Sequence, residues 1–435
     1  MKYYSLGNRH DLVSAEAAIR SGLAPDGSLY MPERILSLDF AALAEAGAAL
    51  PELGTRVAQA FLGEEIEEAA LAGIVREAIN FPAPLIEIEP HTWVLELFHG
   101  PTLAFKDFGA RFMARVLGHF RRNADTSLTV LVATSGDTGS AVAQGFYRVP
   151  GVEVVLLYPK GMVSKLQEQQ LTTLGENITA LEVAGSFDDC QRIVKSAFVD
   201  PEITACMELT SANSINIARL IPQSFYYLSA AAELFQRGIP SVSFSVPSGN
   251  FGNLTGGLLA KRMGMPASRF IAATNANDSV VRFLNGTDFE PTSTIPTISN
   301  AMDVGNPSNF PRLLELCARS RTAMAEEVFG VSCSDEETKA CIERVYRKVG
   351  YVLDPHAAVG YLGLEKARAA GLNGPGVILG TAHPGKFIDT LDTVLPGVVS
   401  LPETLQQVLR LPKQARLISD RFEDFKDFLV SERQA

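Results

Sequence analysis

The sequence predicts an α/β fold, with two parallel-type twisted sheets flanked by helices and a mostly helical N-terminal region. Residues 1–90 carry apolar residues at helical spacing, together with many alanines and glutamates. From about residue 91, short β-rich runs alternate with helical segments, which is the pattern of parallel sheets covered by helices. The β-rich runs are almost continuously apolar, as expected for strands buried on both faces.

Two segments of the N-terminal region, 40–47 and 56–80, have the apolar spacing of helices. The stretch Phe81-Pro-Ala-Pro84 interrupts this pattern, because proline removes a backbone donor and restricts the residue before it. The sequence therefore predicts an N-terminal domain over 1–90 and a second region over 91–435 that contains two α/β subdomains.

Strands and helices alternate through the second region. The predicted strands cover residues 93–98, 128–133, 152–158, 178–183, 242–246, 270–274 and 377–379. The predicted helices cover residues 107–122, 139–147, 164–174, 187–198, 217–236, 254–263, 356–370 and 384–395. Residues 285–309 are rich in proline, serine, threonine and asparagine, and predict a long surface or lid loop.

Charge and cysteine usage exclude several classes of partner. The 435 residues include 38 basic against 49 acidic side chains, so nucleic acid and anionic membranes are poor partners. The five scattered cysteines lack zinc spacing, so we expect reduced thiols, a cytoplasmic protein and no metal site. No signal peptide or membrane-spanning run is found, and the sequence leaves monomer and dimer equally open.

The most informative residue is Lys106, in the run Phe98-His-Gly-Pro-Thr-Leu-Ala-Phe-Lys-Asp-Phe108. Burial among aromatic residues and the positive end of a helix both disfavour the charged form of a lysine. A neutral amine attacks carbonyl groups, so Lys106 is a candidate for forming a Schiff base. Taken alone, the segment also fits an ordinary lysine near aromatic rings.

Glycine-rich turns follow three predicted strands, where open α/β sheets bind their ligands. The first turn, Ala133–Ser140, offers the hydroxyls of Ser135 and Thr138 and several backbone amides to a carboxylate or phosphate. Ser135, Asp137 and Thr138 are equally good N-caps for an ordinary helix, so this turn alone leaves both interpretations open.

The second turn, Val246-Pro-Ser-Gly-Asn-Phe-Gly-Asn253, has the composition of a phosphate cup. Gly249 and Gly252 let the backbone close around an anion, and Asn250 and Asn253 tolerate left-handed conformations. The turn matches neither the Walker pattern nor Gly-x-Gly-x-x-Gly, so a ligand other than ATP or NAD is expected. A tight turn with a helix cap is the alternative interpretation.

The third turn, Leu379-Gly-Thr-Ala-His-Pro-Gly385, places the hydroxyl of Thr381 near the end of a strand. Other polar residues that could contact a ligand are Asn213, Asn216, Arg219, Lys160 and Lys165. An arginine can bind a carboxylate or phosphate bidentately, although an ordinary exposed arginine fits the same pattern. A buried amine, a phosphate cup and an anion-binding turn are together what a pyridoxal phosphate site requires.

Nearly end to end, the chain resembles the threonine synthase family of the bacterial and fungal type, within the fold-type II pyridoxal-phosphate enzymes. Besides the segments quoted above, the resemblance rests on Met1-Lys-Tyr-Tyr-Ser5, Gly22-Leu-Ala-Pro-Asp-Gly-Ser-Leu-Tyr-Met-Pro32, Ser211-Ala-Asn-Ser-Ile-Asn216, Ser299-Asn-Ala-Met-Asp-Val304 and Asp354-Pro-His-Ala-Ala358. The lysine segment combined with the Ser-Gly-Asn-Phe-Gly turn is highly specific.

The resemblance implies that pyridoxal 5'-phosphate binds between the two subdomains. Lys106 would carry the cofactor as a Schiff base, Thr381 would face its pyridine nitrogen, and Asp137 would lie at its ring oxygen. The cofactor phosphate would be held by Gly249, Asn250, Phe251, Gly252 and Asn253. The residues implied near the substrate are Ser135, Thr138, Asn213, Asn216, Arg219 and Lys160.

The implied activity is that of a carbon–oxygen lyase, which converts O-phospho-L-homoserine and water to L-threonine and phosphate in the last step of threonine biosynthesis. Arg219, Lys160 and Lys165 are the candidates for receiving the phosphate. Two alternatives stay open. A serine/threonine dehydratase would share Lys106 and the cup without a second phosphate site, and a non-catalytic relative would only bind phosphate ligands.

Overall fold

The computed structural model describes residues 1–122, 124, 126–134 and 136–431. Its strands are β1 (Tyr3–Ser5), β2 (Leu12–Val13), β3 (Tyr30–Pro32), β4 (Leu85–Glu89), β5 (Thr92–Glu96), β6 (Leu128–Ala133), β7 (Val152–Pro159), β8 (Ile178–Ala184), β9 (Glu208–Ser211), β10 (Val242–Pro247), β11 (Ala267–Thr274), β12 (Val328–Ser332), β13 (Gly376–Gly380) and β14 (Arg416–Ser419).

Helices connect and cover these strands. They are α1 (Ala15–Ser21), α2 (Phe40–Glu45), α3 (Leu50–Leu62), α4 (Glu68–Ala78), α5 (Lys106–Phe120), α6 (Asp137–Phe146), α7 (Lys165–Thr172), α8 (Phe187–Val199), α9 (Pro201–Cys206), α10 (Ile217–Leu220), α11 (Gln223–Gln236), α12 (Gly252–Arg262), α13 (Ser279–Leu284), α14 (Phe310–Leu316), α15 (Arg321–Glu327), α16 (Asp335–Val349), α17 (Pro355–Ala369), α18 (Ile388–Leu391), α19 (Glu403–Val408) and α20 (Phe422–Ser431). Two 3₁₀ turns, Asn300–Met302 and Pro384–Phe387, complete the described elements.

Two large sheets form the centre of the molecule. One has six strands in the order β12-β11-β10-β13-β5-β4, and only β4 runs antiparallel to its neighbour. The other has five parallel strands in the order β14-β8-β7-β6-β9. The predicted α/β fold with two parallel-type sheets flanked by helices is confirmed.

Alternate residues of the central strands enter different hydrophobic cores. In β6, Val130 and Val132 join the largest core, whereas Leu131 and Ala133 face a separate core against α8 and α20. Side chains of a strand point alternately to opposite faces, so both faces of this sheet are buried. Double burial explains why the strands read as continuous apolar runs in the sequence.

The N-terminal region differs from the sequence prediction in two respects. Besides its helices it contains a small antiparallel sheet in the order β2-β1-β3. The predicted helix over 56–80 is also two helices, because α3 ends at Leu62 and α4 begins at Glu68. Since α1 to α4 share the largest core with the central sheets, the N-terminal region packs directly on the rest of the chain.

The domain boundary at residue 90 stays a prediction, and a strand of the six-stranded sheet lies just before it. Strand β4, which lies before that residue, pairs antiparallel with β5 and is the edge strand of the six-stranded sheet. A tight connection between the two strands forms a hairpin, which places 85–89 with the second region. The proline-rich stretch 81–84 remains the proposed junction.

Three further segments depart from the sequence prediction. The expected helix 217–236 is divided into α10 and α11 near Pro222, because proline lacks the amide that would continue the helix. The expected helix 384–395 is a 3₁₀ turn followed by the short α18. The amphipathic helix α16 was not predicted, although Ser334 and Glu337 form a capping box at its start.

The predicted loop 285–309 is fixed along part of its length. Asp303 accepts hydrogen bonds from Asn275 and from the amide and hydroxyl of Thr297. The side chain of Asn277 bonds both the amide and the carbonyl of Ile295. These bonds hold the 3₁₀ turn at Met302 beneath the glycine-rich turn that follows β10, while residues 290–296 are exposed.

Arg312 connects three parts of the fold without an ion pair among the described residues. Its fully buried guanidinium donates to the carbonyls of Tyr30 at 2.9 Å and Ile215 at 2.8 Å, and to the side chain of Asn309 at 2.9 Å. Burial lowers the pKa of this group to about 9. A single side chain therefore ties β3 to the loop before α10 and to the start of α14.

We predict that Arg312→Ala destabilises the fold by about 3 kcal/mol or more, because several buried carbonyls lose their donor and a cavity forms. The measurement is the urea-unfolding midpoint at constant protein concentration. Arg347→Ala, which removes an exposed partner of Glu343, is the control and should leave the midpoint in place. Equal midpoints for both variants would contradict the structural role of Arg312.

Candidate active site

The segment before Lys106 runs along the turn that follows β13. Leu97 donates its amide to the carbonyl of Gly380 at 2.9 Å, and Phe105 donates to that of Thr381 at 2.8 Å. His383 in turn donates to the carbonyl of Leu103 at 3.0 Å. The loop that presents Lys106 is therefore attached to the end of a central strand by its backbone.

Asp107 holds the same loop from inside. Its buried carboxylate accepts the amide of Thr102 at 2.9 Å and the hydroxyl of Thr102 at 2.7 Å. Burial raises the pKa of Asp107 to about 6, against the hydrogen bonds from Thr102 and the charges of Lys386 and Arg111. A Cβ on Gly100 would lie 2.5 Å from this carboxylate, which explains the glycine at that position.

Lys106 is half-buried and is the first residue of α5. Burial lowers the pKa of its ammonium to about 8; the charges of Lys386 and Arg219 add to the lowering, whereas Asp137 opposes it. A lysine with this pKa has a substantial neutral fraction near pH 8. The expectation that Lys106 loses proton affinity is thus borne out by its surroundings.

Asp137 forms a buried ion pair with Lys386. Their Oδ1 and Nζ atoms are 2.7 Å apart, and the two side chains are 4% and 0% exposed. Although burial acts to raise the pKa of Asp137, the charges of Lys386 and Lys106 hold it well below its usual value. Asp137 is therefore ionised at neutral pH and is close enough to Lys106 for the two charges to interact.

Arg219 is a buried cation whose guanidinium is not fully bonded. Its Nη1 donates to the carbonyl of Ala212, but its Nε has no hydrogen-bond partner among the described residues. Burial lowers the pKa of Arg219 to about 10, with Asp107 opposing. A Cβ on Gly109 would lie 2.9 Å from this Nε, so Arg219 packs against α5 one turn after Lys106.

The turn after β10 closes tightly before α12. Phe251 adopts a left-handed conformation with φ of 61°, and a Cβ on Gly249 would lie 2.7 Å from the Cα of Met302. Asn253 accepts hydrogen bonds from the hydroxyls of Tyr226 and Tyr227, both at 2.8 Å. Its Nδ2 is buried and has no partner among the described residues, so it is available to an acceptor.

Contacts of neighbouring residues link the segment of Lys106 to Thr381, Arg219 and Asn253. Beyond the bonds described above, the ring of Phe108 packs on Tyr226 with centroids 5.0 Å apart, and Tyr226 bonds Asn253. Gly252 also approaches the segment before α10, since a Cβ there would lie 3.9 Å from Ser214 Cβ. The lysine, the cup and the buried arginine therefore belong to one connected site.

Three other residues were also predicted to contact a ligand: Asn216, Lys160 and Lys165. Asn216 is fully buried, caps α10 through Ala218, and donates to the carbonyl of Ile19 at 2.8 Å, so its side chain serves the fold. Lys160 and Lys165 are exposed. The ligand roles predicted for these three residues stay predictions.

The ligand roles predicted for Asn213, Thr138 and Asn250 stay predictions. Asn213 and Thr138 are half-buried beside the buried members of the site. The oxygen of Asn250 accepts from the amide and hydroxyl of Ser308, which attaches the cup to the loop before α14. The substrate role predicted for Ser135 lies outside the described residues.

Sequence reasoning missed Lys386 as a member of the site. The residue follows the Thr-Ala-His-Pro-Gly turn and was hidden inside a segment predicted to be an ordinary helix. The sequence feature that could have revealed Lys386 is its position immediately after the Leu379–Gly385 turn, which was already predicted to contact the ligand. The partners of Asn253, Tyr226 and Tyr227, were missed because they lie on a different helix and give no local pattern.

The residues present fit pyridoxal phosphate. The unpartnered Nδ2 of Asn253 and the amides at the start of α12 suit a phosphate, since helix N-termini attract anions. The amine of Lys106 suits an aldehyde. In the described parts of the chain, no three His, Cys, Asp or Glu side chains cluster as metal ligands do, and no helix has the length and apolar character to cross a membrane.

Comparison with known proteins identifies the family. A family model described as pyridoxal-phosphate dependent enzyme matches residues 79–382, and one described as threonine synthase N terminus matches residues 2–79. The chain is 44% identical over 434 residues to a threonine synthase of Serratia marcescens, with 99% of each chain covered.

Solved structures of this family have the same architecture. Escherichia coli threonine synthase gives a TM-score of 0.91 at 42% identity and covers 99% of this chain and 100% of its own. A pyridoxal-phosphate-bound threonine synthase of Brucella melitensis gives 0.92 at 35% identity, with both chains fully covered.

The dehydratase alternative has only the fold in its favour. A threonine deaminase from Solanum lycopersicum reaches a TM-score of 0.54 at 13% identity, and the match covers 76% of this chain and 94% of that one. The full-length similarities all point to a single activity instead. The chain belongs to the threonine synthase family of pyridoxal-phosphate-dependent lyases.

Proposed function

We propose that the substrate is O-phospho-L-homoserine and that the residues gathered around Lys106 form its site. In the reaction the Cγ–O bond breaks and phosphate leaves with the bonding electrons. The oxygen of water bonds to Cβ, and Cγ ends as a methyl group after gaining a proton. The products are L-threonine and phosphate.

The observation that carries the proposal is the proximity of a weakly basic lysine and a buried arginine. Lys106 begins α5, and Gly109, one turn later, contacts Arg219. An amino-acid substrate with a phosphate at its far end needs an amine near its Cα and a cation near its phosphate. In a chain of net charge -11, that cation has to be supplied locally.

Cofactor-holding roles follow from the same contacts. Pyridoxal phosphate, when bound, supplies the electron sink for the carbanions that form at the substrate carbons. Gly249 to Asn253 would hold its phosphate, and Thr381 would face its pyridine nitrogen. Asp137, kept ionised by Lys386, is an acceptor and therefore suits a position beside the ring rather than beside the substrate carboxylate.

Lys106 is the proposed acid and base. With substrate bound, its free amine can take one proton from Cα and one from Cβ, and can return one to Cγ and one to Cα. The proton that water releases goes to the departing phosphate. A pKa of about 8 allows both directions near neutral pH, because neither the charged nor the neutral form is strongly disfavoured. The half-buried position limits exchange of these protons with water.

The leaving phosphate is assigned to Arg219 rather than to the exposed Lys160 and Lys165. A guanidinium binds phosphate through parallel N–H groups, and its hydrogen bonds are stronger where water is excluded. Arg219 is 4% exposed and retains an unbonded Nε among the described residues. Asn213 and Thr138 are proposed to assist, and Ser135 to bind the substrate carboxylate.

A cytoplasmic location is proposed because the buried cysteines are free thiols. Cys190, Cys317, Cys333 and Cys341 are buried free cysteines, and burial raises the pKa of each to about 11 or 12. Unreactive reduced thiols of this kind suit a reducing compartment.

We predict that the protein with pyridoxal phosphate converts O-phospho-L-homoserine to equal amounts of L-threonine and phosphate. Threonine is measured by amino-acid analysis and phosphate by a colorimetric assay. L-Serine and L-threonine should give no 2-oxo acid, and inorganic phosphate should inhibit competitively. Deamination without phosphate inhibition would instead support a dehydratase.

Lys106→Ala should lose both the visible Schiff-base absorbance and threonine formation, with kcat reduced by at least roughly a thousandfold. The control is Lys339→Ala, which removes an exposed lysine of α16 and should match the parent protein in both measurements. Retained absorbance in Lys106→Ala would mean that another lysine carries the cofactor.

Arg219→Gln should raise KM for O-phospho-L-homoserine by about 10- to 100-fold, as expected for losing a charged hydrogen bond. It should raise the inhibition constant of inorganic phosphate in parallel. Lys160→Gln and Lys165→Gln, which remove exposed lysines, serve as matched controls and should change KM less than about threefold. If Arg219→Gln has a normal KM, residues other than Arg219 bind the substrate phosphate.

A further inference from the structure

Lys386 is bonded to two separate parts of the site. Its ammonium lies 2.7 Å from Asp137 at the start of α6, and it donates to the carbonyl of Thr102 at 2.9 Å. Thr102 belongs to the loop before Lys106 and is itself bonded to Asp107. With a side chain that is 0% exposed, Lys386 links the five-stranded sheet to the loop that presents the lysine of α5.

We propose that Lys386 is a positioning residue for the reaction, because it ties Asp137 to the loop that presents Lys106 and adds a second buried positive charge that keeps the Lys106 amine available in its neutral form. The inference rests on the proposed role of Lys106. It assigns Lys386 no contact with substrate or cofactor.

Charge balance around Lys106 supports this role. The groups that act on its ammonium are Asp137 from α6, Lys386 from the 3₁₀ turn and Arg219 from α10. If Asp137 stood alone, it would pair with Lys106 and hold the lysine in its charged form. By pairing with Asp137, Lys386 weakens that attraction and adds a repulsion of its own.

Three other titratable groups lie near the Asp137–Lys386 pair: Asp107, His383 and His356. Lys386 also acts on the carboxylate of Asp107 and on His383, whose pKa burial lowers. His356 of α17 lies near enough to act on Asp137, but its Nδ1 is bonded to Asp354 at 2.6 Å and its Nε2 accepts the amide of Ala301. His356 is therefore fixed by its own partners.

A direct test follows cofactor attachment against pH. The full-length chain, stripped of cofactor, is mixed with pyridoxal phosphate between about pH 6 and pH 10, and the visible absorbance gives the rate. The rate requires neutral Lys106, so its midpoint in the parent protein should lie near pH 8. This readout does not depend on turnover of substrate.

Lys386→Gln should move the midpoint upward by about one pH unit and slow attachment at pH 7 roughly tenfold. Asp137→Asn should move the midpoint downward, because the opposing carboxylate is gone. Lys386→Arg keeps the charge and should restore the parent midpoint. Lys366→Gln is the matched control, since Lys366 likewise joins a carbonyl, that of Ser332, to a carboxylate, that of Glu337.

An unchanged midpoint in folded Lys386→Gln would overturn the proposal, whatever happens to the maximal rate. If Lys386→Gln does not fold, the double variant Lys386→Gln/Asp137→Asn removes the unpaired carboxylate and is compared with Asp137→Asn. The double variant must then have the higher midpoint, and equal midpoints would overturn the proposal. Absence of attachment in the parent protein at every pH would instead refute the role of Lys106.

Discussion

Backbone pairing between the Leu97–Phe105 segment and the turn after β13 is the constraint on which the site depends. The amides of Leu97, Phe105 and His383 all take part, and Lys386 adds a bond to Thr102 from the same turn. Because backbone atoms carry these bonds, the position of α5 relative to the six-stranded sheet does not rely on flexible side chains. The sheet thereby determines where Lys106 begins its helix.

The interior of the protein contains several positively charged side chains. Arg219, Arg312 and Lys386 are each almost fully buried, yet only Lys386 has an ion-pair partner among the described residues. Arg312 is bonded to carbonyl and amide oxygens, which satisfies it within the fold. Arg219 donates to the carbonyl of Ala212 and keeps an unbonded Nε among the described residues, so its burial is only partly compensated within the fold. Under the proposed function, this arginine is the local cation that an acidic chain needs in order to bind an anionic substrate.

Sequence patterns predicted the central strands well and the edges poorly. Strand β6 has the predicted bounds, because both of its faces are buried and it has no polar positions to obscure the pattern. Strands β9, β12 and β14 were missed because they are short edge strands whose residues are only partly buried, so they lack a continuous apolar run. The single helix predicted over 217–236 is divided in the structure because its apolar spacing continues across Pro222, which interrupts the backbone bonding.

The sequence by itself determined the chemistry of this protein: a lysine among aromatic residues, a glycine-rich cup, a threonine after β13 and the resemblance to a single family. These features are local, so neighbouring residues are enough to reveal them. Only the tertiary structure decided which charges act on Lys106, because Asp137, Arg219 and Lys386 come from distant parts of the chain. The tertiary structure also showed that Arg219 is buried whereas Lys160 is exposed, because burial depends on packing and not on spacing along the sequence.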